Sequence, residues 1–172
     1  MPVKKYQKVI YTLILVFSLL WCSAILLAPL WHNTPGISGD VSEALYTFFE
    51  TSCHQQDSRS FHIGEEKFGV CSRCTSIYFG FLLAVIVYPF IRKLSNLDLP
   101  PIIYLLIAAT LMIIDAGLDT FNILKNTFVS REITGVVMGF VLPLYIIPGT
   151  IRLFHEFFKP PVINPKANNA GK

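Results

Sequence analysis

Charge is scarce in this sequence. Only 15% of its 172 residues are Asp, Glu, Lys or Arg, against roughly 25% in an average soluble domain. The net charge is +3, and the positive residues gather at the chain ends and in one short loop. No basic face interleaved with aromatics is present, which removes the footprint of a nucleic-acid binder. Catalytic signatures are also missing. There is no P-loop, no H-E-x-x-H, and no nucleophile elbow around Ser52, Ser58, Ser60 or Ser72. Covalent haem attachment requires C-x-x-C-H, and Thr75 follows Cys74 here. Cysteine is limited to four residues, too few for a disulfide scaffold.

What the chain has in quantity is apolar sequence, at 53% of residues and a mean hydropathy of +0.55. Its length is that of one small domain. Four runs stand out: Val9 to Trp31 with 23 uncharged residues, Thr75 to Ile91 with 17, Leu99 to Ile114 with 16, and Ile133 to Ile151 with 19. A helix of roughly 20 residues crosses a hydrocarbon core of about 30 Å. The first and fourth runs suffice alone. The second and third reach full length only with the polar residues at their ends, which then face protein at membrane depth. Lipid offers backbone N–H and C=O no partner, so each span must be helical. A soluble domain with four buried helices is the rival, and uncharged runs of this length are rare there.

These runs predict an all-α, integral membrane four-helix bundle with helices near 9–31, 72–91, 99–120 and 132–153. Residues 1–160 are expected to form one membrane domain, and 161–172 a disordered tail rich in Pro and Asn. The first run is longer than the roughly 7–15 apolar residues of a signal peptide and lacks a small-x-small site after it, so it reads as a retained span. Cys22 within it reads as a plain apolar residue. Lys4, Lys5, Lys8, Arg92, Lys93, Arg152, Lys159 and Lys166 flank one set of span ends. The positive-inside rule then gives a multi-pass plasma (inner) membrane protein, N-in and C-in. Arg59, Lys67, Arg73, Lys125 and Arg131 lie on the other side and argue against it.

The outer loop, 32–71, carries its own pattern. Asp40 with Glu43 three residues on resembles a capping box. Val41, Ala44, Leu45, Phe48, Phe49 and Ser52 then follow amphipathic helical spacing. That helix delivers Cys53 and His54 at its C-terminal end. Two short apolar runs, Phe61–Ile63 and Phe68–Val70, flank the polar turn Gly64-Glu65-Glu66-Lys67 and read as a hairpin. The hairpin returns Cys71 towards Cys53.

Three span ends present polar or small stripes at the same depth. Cys71, Cys74 and Tyr78 are i, i+3, i+7. Asp115, Asp119 and Asn122 are i, i+4, i+7. Arg131, Gly135 and Gly139 are i, i+4, i+8, and the two glycines form a GxxxG pair that lets a helix approach closely. Asp115 lies deepest and needs a partner, for which Arg131 and Arg73 are the candidates. A salt-bridge network without chemistry is the simpler alternative.

Cys71-x-x-Cys74 with Cys53-His54 supplies four soft or borderline ligands, a set that suits zinc, and His62 is an alternative to His54. Such a site stabilises a small loop by on the order of 10 kcal/mol. A thiol–disulfide oxidoreductase using Cys71 and Cys74, with Cys53 as resolving thiol, is the second reading. A structural disulfide, worth about 3 kcal/mol for a loop of this length, is the third, yet three outer cysteines cannot all pair within one chain.

At these residues a resemblance appears. Cys53-His54-Gln55, Arg59-Ser60-Phe61 and Cys71-Ser72-Arg73-Cys74-Thr75-Ser76-Ile77-Tyr78-Phe79-Gly80 are similar to the C-H-Q…R-S-F…C-x-R-C-x-G-I-Y-x-G signature of a family of small prokaryotic integral membrane proteins with a domain of unknown function. Asp115, Asp119, Arg131, Thr134, Gly135 and Gly139 resemble its second block. Ser76 departs from the family's usual Gly, which puts close packing there in question. The resemblance implies a membrane protein with a Cys/His/Arg motif and implies no substrate.

The combined expectation is a metal-binding protein embedded in the lipid bilayer, an enzyme in its most specific form. Cys53, His54, Cys71 and Cys74 hold zinc, Asp115 or Asp119 serves as base, and Arg59, Arg73 or Arg131 grips an amphiphilic or anionic extracytoplasmic substrate. The alternatives are the oxidoreductase and a non-catalytic structural or partner-binding subunit.

Overall fold

The computed structural model describes residues 3–157, with side chains from Tyr6 onward; the tail expected after residue 160 lies outside them. Helix α1 runs from Val3 to Trp31 and α2 from Ile37 to Glu50. A 3₁₀ turn at Asp57–Arg59 leads into a hairpin of β1 (Ser60–Ile63) and β2 (Glu66–Cys71). Then come α3 (Ser72–Ile91), α4 (Ile103–Thr120), α5 (Phe128–Val141) and α6 (Pro143–Phe157).

Four stretches are long and apolar enough to cross a membrane: Tyr6–Trp31, Ser72–Ile91, Ile103–Thr120 and the combined Phe128–Phe157. The architecture is therefore an all-α membrane bundle with a small two-stranded appendage. Many large apolar side chains on these spans, Leu13, Phe17, Leu20 and Ile113 among them, point away from the protein. Water would penalise that surface, whereas hydrocarbon does not.

Three boundaries depart from the sequence expectation. The fourth span is two helices separated at Leu142, because Pro143 has no N–H and its ring crowds the carbonyl four residues earlier. The third begins at Ile103 rather than Leu99, since Pro100 and Pro101 interrupt the backbone ladder. In α2, Asp40 is not the cap. Gly36, at φ +85°, caps a helix that starts at Ile37 and places Asp40 in its first turn. The capping box found here belongs to α5, where Thr127 Oγ1 accepts from the Ser130 amide and Ser130 Oγ from the Thr127 amide, each at 3.1 Å.

The core has two parts. One, towards the α6 end, is built from Ile10, Val85, Tyr88, Ile147 and Ile151. The other lies under the loop and contains Ile25, Phe49, Cys53 and Val70, with Trp21, Leu45, Phe68 and Tyr78 packed on it. Helix α3 packs most extensively on α5. A methyl group added at Gly135 would lie 2.8 Å from the Arg73 carbonyl oxygen and 2.9 Å from Ser76 Cβ. Ser76 thus occupies the space that Gly135 leaves. On the other helix, a methyl at Gly80 would lie 2.9 Å from the Val136 carbonyl oxygen.

Candidate metal centre

Each of the three outer cysteines arrives on a different element. Cys53 follows the last turn of α2, where its amide donates to the Phe49 carbonyl at 2.9 Å, and it is buried. The hairpin turns tightly at Gly64-Glu65, with Ile63 paired to Glu66 and Gly64 at φ +63°, a left-handed conformation that glycine adopts without strain. Its return strand ends at Cys71, which pairs in register with Ser60 and is also the N-cap of α3. Cys74 follows one turn into that helix. The three sulfur atoms all lie within 4.8 Å of one another. None of the chain's cysteines is in a disulfide.

The cluster is electrostatically prepared. Cys53 Sγ accepts the Cys71 amide at 3.2 Å. The Cys71 and Cys74 thiols, together with the Cys71 and Gln55 amides, hold the Cys53 thiol far below the ordinary thiol range, against the opposing effect of burial. A thiolate is the form that binds metal or attacks a disulfide. Gln55, which residue spacing alone does not single out although it completes the C-H-Q triplet, is what shapes this loop. It sits at φ +46°, buried, with Nε2 donating to the Tyr46 carbonyl at 2.7 Å and its own carbonyl accepting Lys67 Nζ at 2.9 Å.

Beside the sulfurs runs a chain of ion pairs. Arg73 Nη2 pairs with Asp115 Oδ2. Arg59 Nη2 lies 3.0 Å from Asp119 Oδ2, and Arg131 Nη2 lies 4.0 Å from the same oxygen. Asn126 ties the chain together. Its Oδ1 accepts Arg131 Nε at 2.6 Å, its Nδ2 reaches Asp115 Oδ2 at 3.4 Å, and its amide donates to Asp119 Oδ1 at 3.3 Å. The stripe of acidic residues on α4 is thus completed by Asn126 in the following loop, whereas Asn122 turns the chain at φ +55°. Arg131 is buried, its guanidinium 5.9 Å from the centre of the Phe128 ring.

Cys53, Cys71, Cys74, Arg59, Arg73 and Arg131 line one cavity of about 350 Å³, together with His54, Gln55, Gln56 and Ser52. Two expected ligands fall outside the sulfur set. His54 is exposed and lines the cavity without joining the atoms that lie within 4.8 Å of one another. His62 is engaged elsewhere, its Nε2 3.0 Å from exposed Asp57 Oδ1, and it does not line the cavity. Asp115 and Asp119 stand behind the arginines and are not part of the cavity wall.

Residues 53–145, more than half of the chain, match the family model described as "Predicted membrane protein (DUF2085)". The chain belongs to this family. It is also 35% identical over 159 residues to "Uncharacterized protein MJ1492" of Methanocaldococcus jannaschii, covering 91% of this chain and 99% of that protein. No solved structure matches. The family match begins at Cys53 itself and takes in every sulfur, arginine and aspartate of the centre. The first span and all of α2 precede it, whereas the similarity to the archaeal relative covers 91% of the chain.

Proposed function

We propose that this family member binds one thiophilic divalent metal, zinc, through Cys53, Cys71 and Cys74 at the extracytoplasmic face of the plasma membrane. The observation that carries the reading is the meeting of three sulfurs from three separate elements within 4.8 Å. Sulfurs bound to one tetrahedral zinc at about 2.3 Å stand about 3.8 Å apart, so small side-chain rotations complete the set. Charge supports it as well. Three guanidiniums against two carboxylates leave one positive charge beside the cluster, and a divalent ion on three thiolates carries one negative charge.

Three protein ligands would leave a fourth position open, which is the pattern of a catalytic rather than a closed structural zinc site. His54, which lines the same cavity, or water would complete the set. Asp115 and Asp119 act as positioning residues that hold Arg73, Arg59 and Arg131 along the cavity, in place of the carboxylate base expected from sequence alone. The arginines receive an anionic group of a substrate. The outward orientation rests on the excess of Lys and Arg at the opposite span ends.

Metal analysis of detergent-purified protein, paired with thiol counting, tests the reading. One zinc per chain with three reduced but protected thiols supports it. Absence of metal, with a reversibly reducible Cys71–Cys74 bond, overturns it in favour of the thiol oxidoreductase. The low-lying Cys53 thiol beside a C-x-x-C at a helix N-terminus is the observation that favours that second reading.

A further inference from the structure

Two cavities of opposite character lie on either side of one packed cluster, with no lining residue in common. The polar one holds the three sulfurs and the guanidiniums of Arg59, Arg73 and Arg131. The other is an apolar groove of about 420 Å³, bounded by Leu13, Phe17, Trp21, Tyr78, Phe81 and Ile146 from α1, α3 and α6. Each volume falls within the range of small-molecule sites. Trp21 and Tyr78 line the groove and also pack on the cluster that contains Cys53, against which Cys71 and Cys74 lie too. Tyr78 is one helical turn from Cys74 on α3. At the far rim, Leu13 and Phe17 are each 63% exposed on a span that faces hydrocarbon, so the groove opens sideways into the bilayer.

The polar half has donor capacity left over. Arg73 spends one nitrogen on Asp115, and its buried Nε has no hydrogen-bond partner among the described residues. A buried N–H without an acceptor is costly. Guanidinium forks match the paired oxygens of phosphate. The apolar half offers mostly carbon and aromatic rings, and its aliphatic hydroxyl, Ser18, is spent on the Ile14 carbonyl at 2.7 Å.

We propose that the two cavities are the head and tail halves of one site for an amphiphile with a phosphate-class anionic head and a single hydrocarbon chain. This deepens the metal–arginine reading above and rests on it for the chemistry of the head pocket. The ligand enters from the lipid side and lays its chain along α1 and α3; its head reaches the arginines beside the sulfurs when Trp21 and Tyr78, which pack between the two cavities, turn aside.

Binding is measured on full-length protein in a neutral maltoside detergent, with three probes. Lysophosphatidic acid carries both halves, lysophosphatidylcholine of equal chain length has a charge-neutral head, and glycerol 3-phosphate has no chain. The expected result is binding of lysophosphatidic acid at least about tenfold tighter than either control, the scale of one charge-assisted hydrogen bond. Arg59→Gln changes a partly exposed side chain and weakens that binding about tenfold. Ile146→Trp fills the groove from its exposed rim and weakens lysophosphatidic acid without affecting zinc content. Equal binding of the two lysolipids, or lysophosphatidic acid binding untouched by both substitutions, overturns the proposal. Zinc is measured on the same samples. Protein that holds zinc yet fails to discriminate the probes overturns the ligand assignment alone.

Discussion

Cys53 owes its chemistry to what donates to it. Two thiols and two amides surround its sulfur and favour its thiolate. Ligation requires thiolates, so protons compete with metal and affinity falls as pH falls. The expected result is weaker zinc binding at pH 6 than at pH 7, read by competition with a chromophoric chelator. An affinity unchanged over that interval would mean that the sulfurs are not the ligands. Cys53→Ser removes one of the three sulfurs and should abolish stoichiometric zinc. The carboxylates differ in a related way. Asp119 serves two arginines and Asp115 one. These pairs are partly shielded, so breaking one costs less than the full burial penalty but more than a surface pair. Asp119→Asn should lower stability by about 2 kcal/mol, and more than Asp115→Asn does, as measured by thermal unfolding in detergent.

The elements that hold the site are α3 and α5, and their contact is made of absent side chains. Gly135 lies against the backbone of Arg73 and the side chain of Ser76, and Gly139 against the backbone of Ile77. The GxxxG spacing announced a close approach, but a spacing does not name its partner helix. The match of Ser76 to Gly135, and of Gly80 to Val136, needed coordinates. Gly135→Leu should push α5 off α3, costing about 1–3 kcal/mol for overpacking. Because Arg73 and Cys74 ride on that helix, zinc content should fall with stability. Gly117→Leu on α4 meets open space and should change neither. The break at Leu142 escaped the hydropathy reading for a physical reason. An uncharged run counts Pro143 as one more uncharged residue and is blind to its missing N–H. The start of α2 escaped for the converse reason, because Gly36 carries no side chain to signal a cap.

At the scale of the whole molecule, the number of spans was readable because it depends on one-dimensional quantities, length and transfer free energy. The candidate site was readable in its parts: the cysteines by spacing, Asp115 by its need for a partner, Arg73 as one of two candidates for that partner. What spacing could not supply was Asn126 or Gln55, since a loop amide has no periodicity and acts through whichever groups the fold sets beside it. His54 lines the cavity but stays outside the sulfur set, because adjacent residues leave a helix end in different directions. Sidedness belongs to this scale too, and charge pulls it two ways. Lys and Arg flank one set of span ends, yet Arg59, Arg73 and Arg131 crowd the other. The three arginines share Asp115 and Asp119, which leaves one unbalanced positive charge on that side, so sidedness is a matter for experiment. Single reporters distinguish the orientations in a background with Cys22, Cys53, Cys71 and Cys74 replaced by Ser. Glu65→Cys, at the exposed hairpin turn, should react with a membrane-impermeant maleimide in intact cells. Ser95→Cys, in the exposed loop between α3 and α4, should react only after permeabilisation. The reverse pattern would move the metal centre to the cytoplasm, where the same three thiols stay reduced without help from a metal.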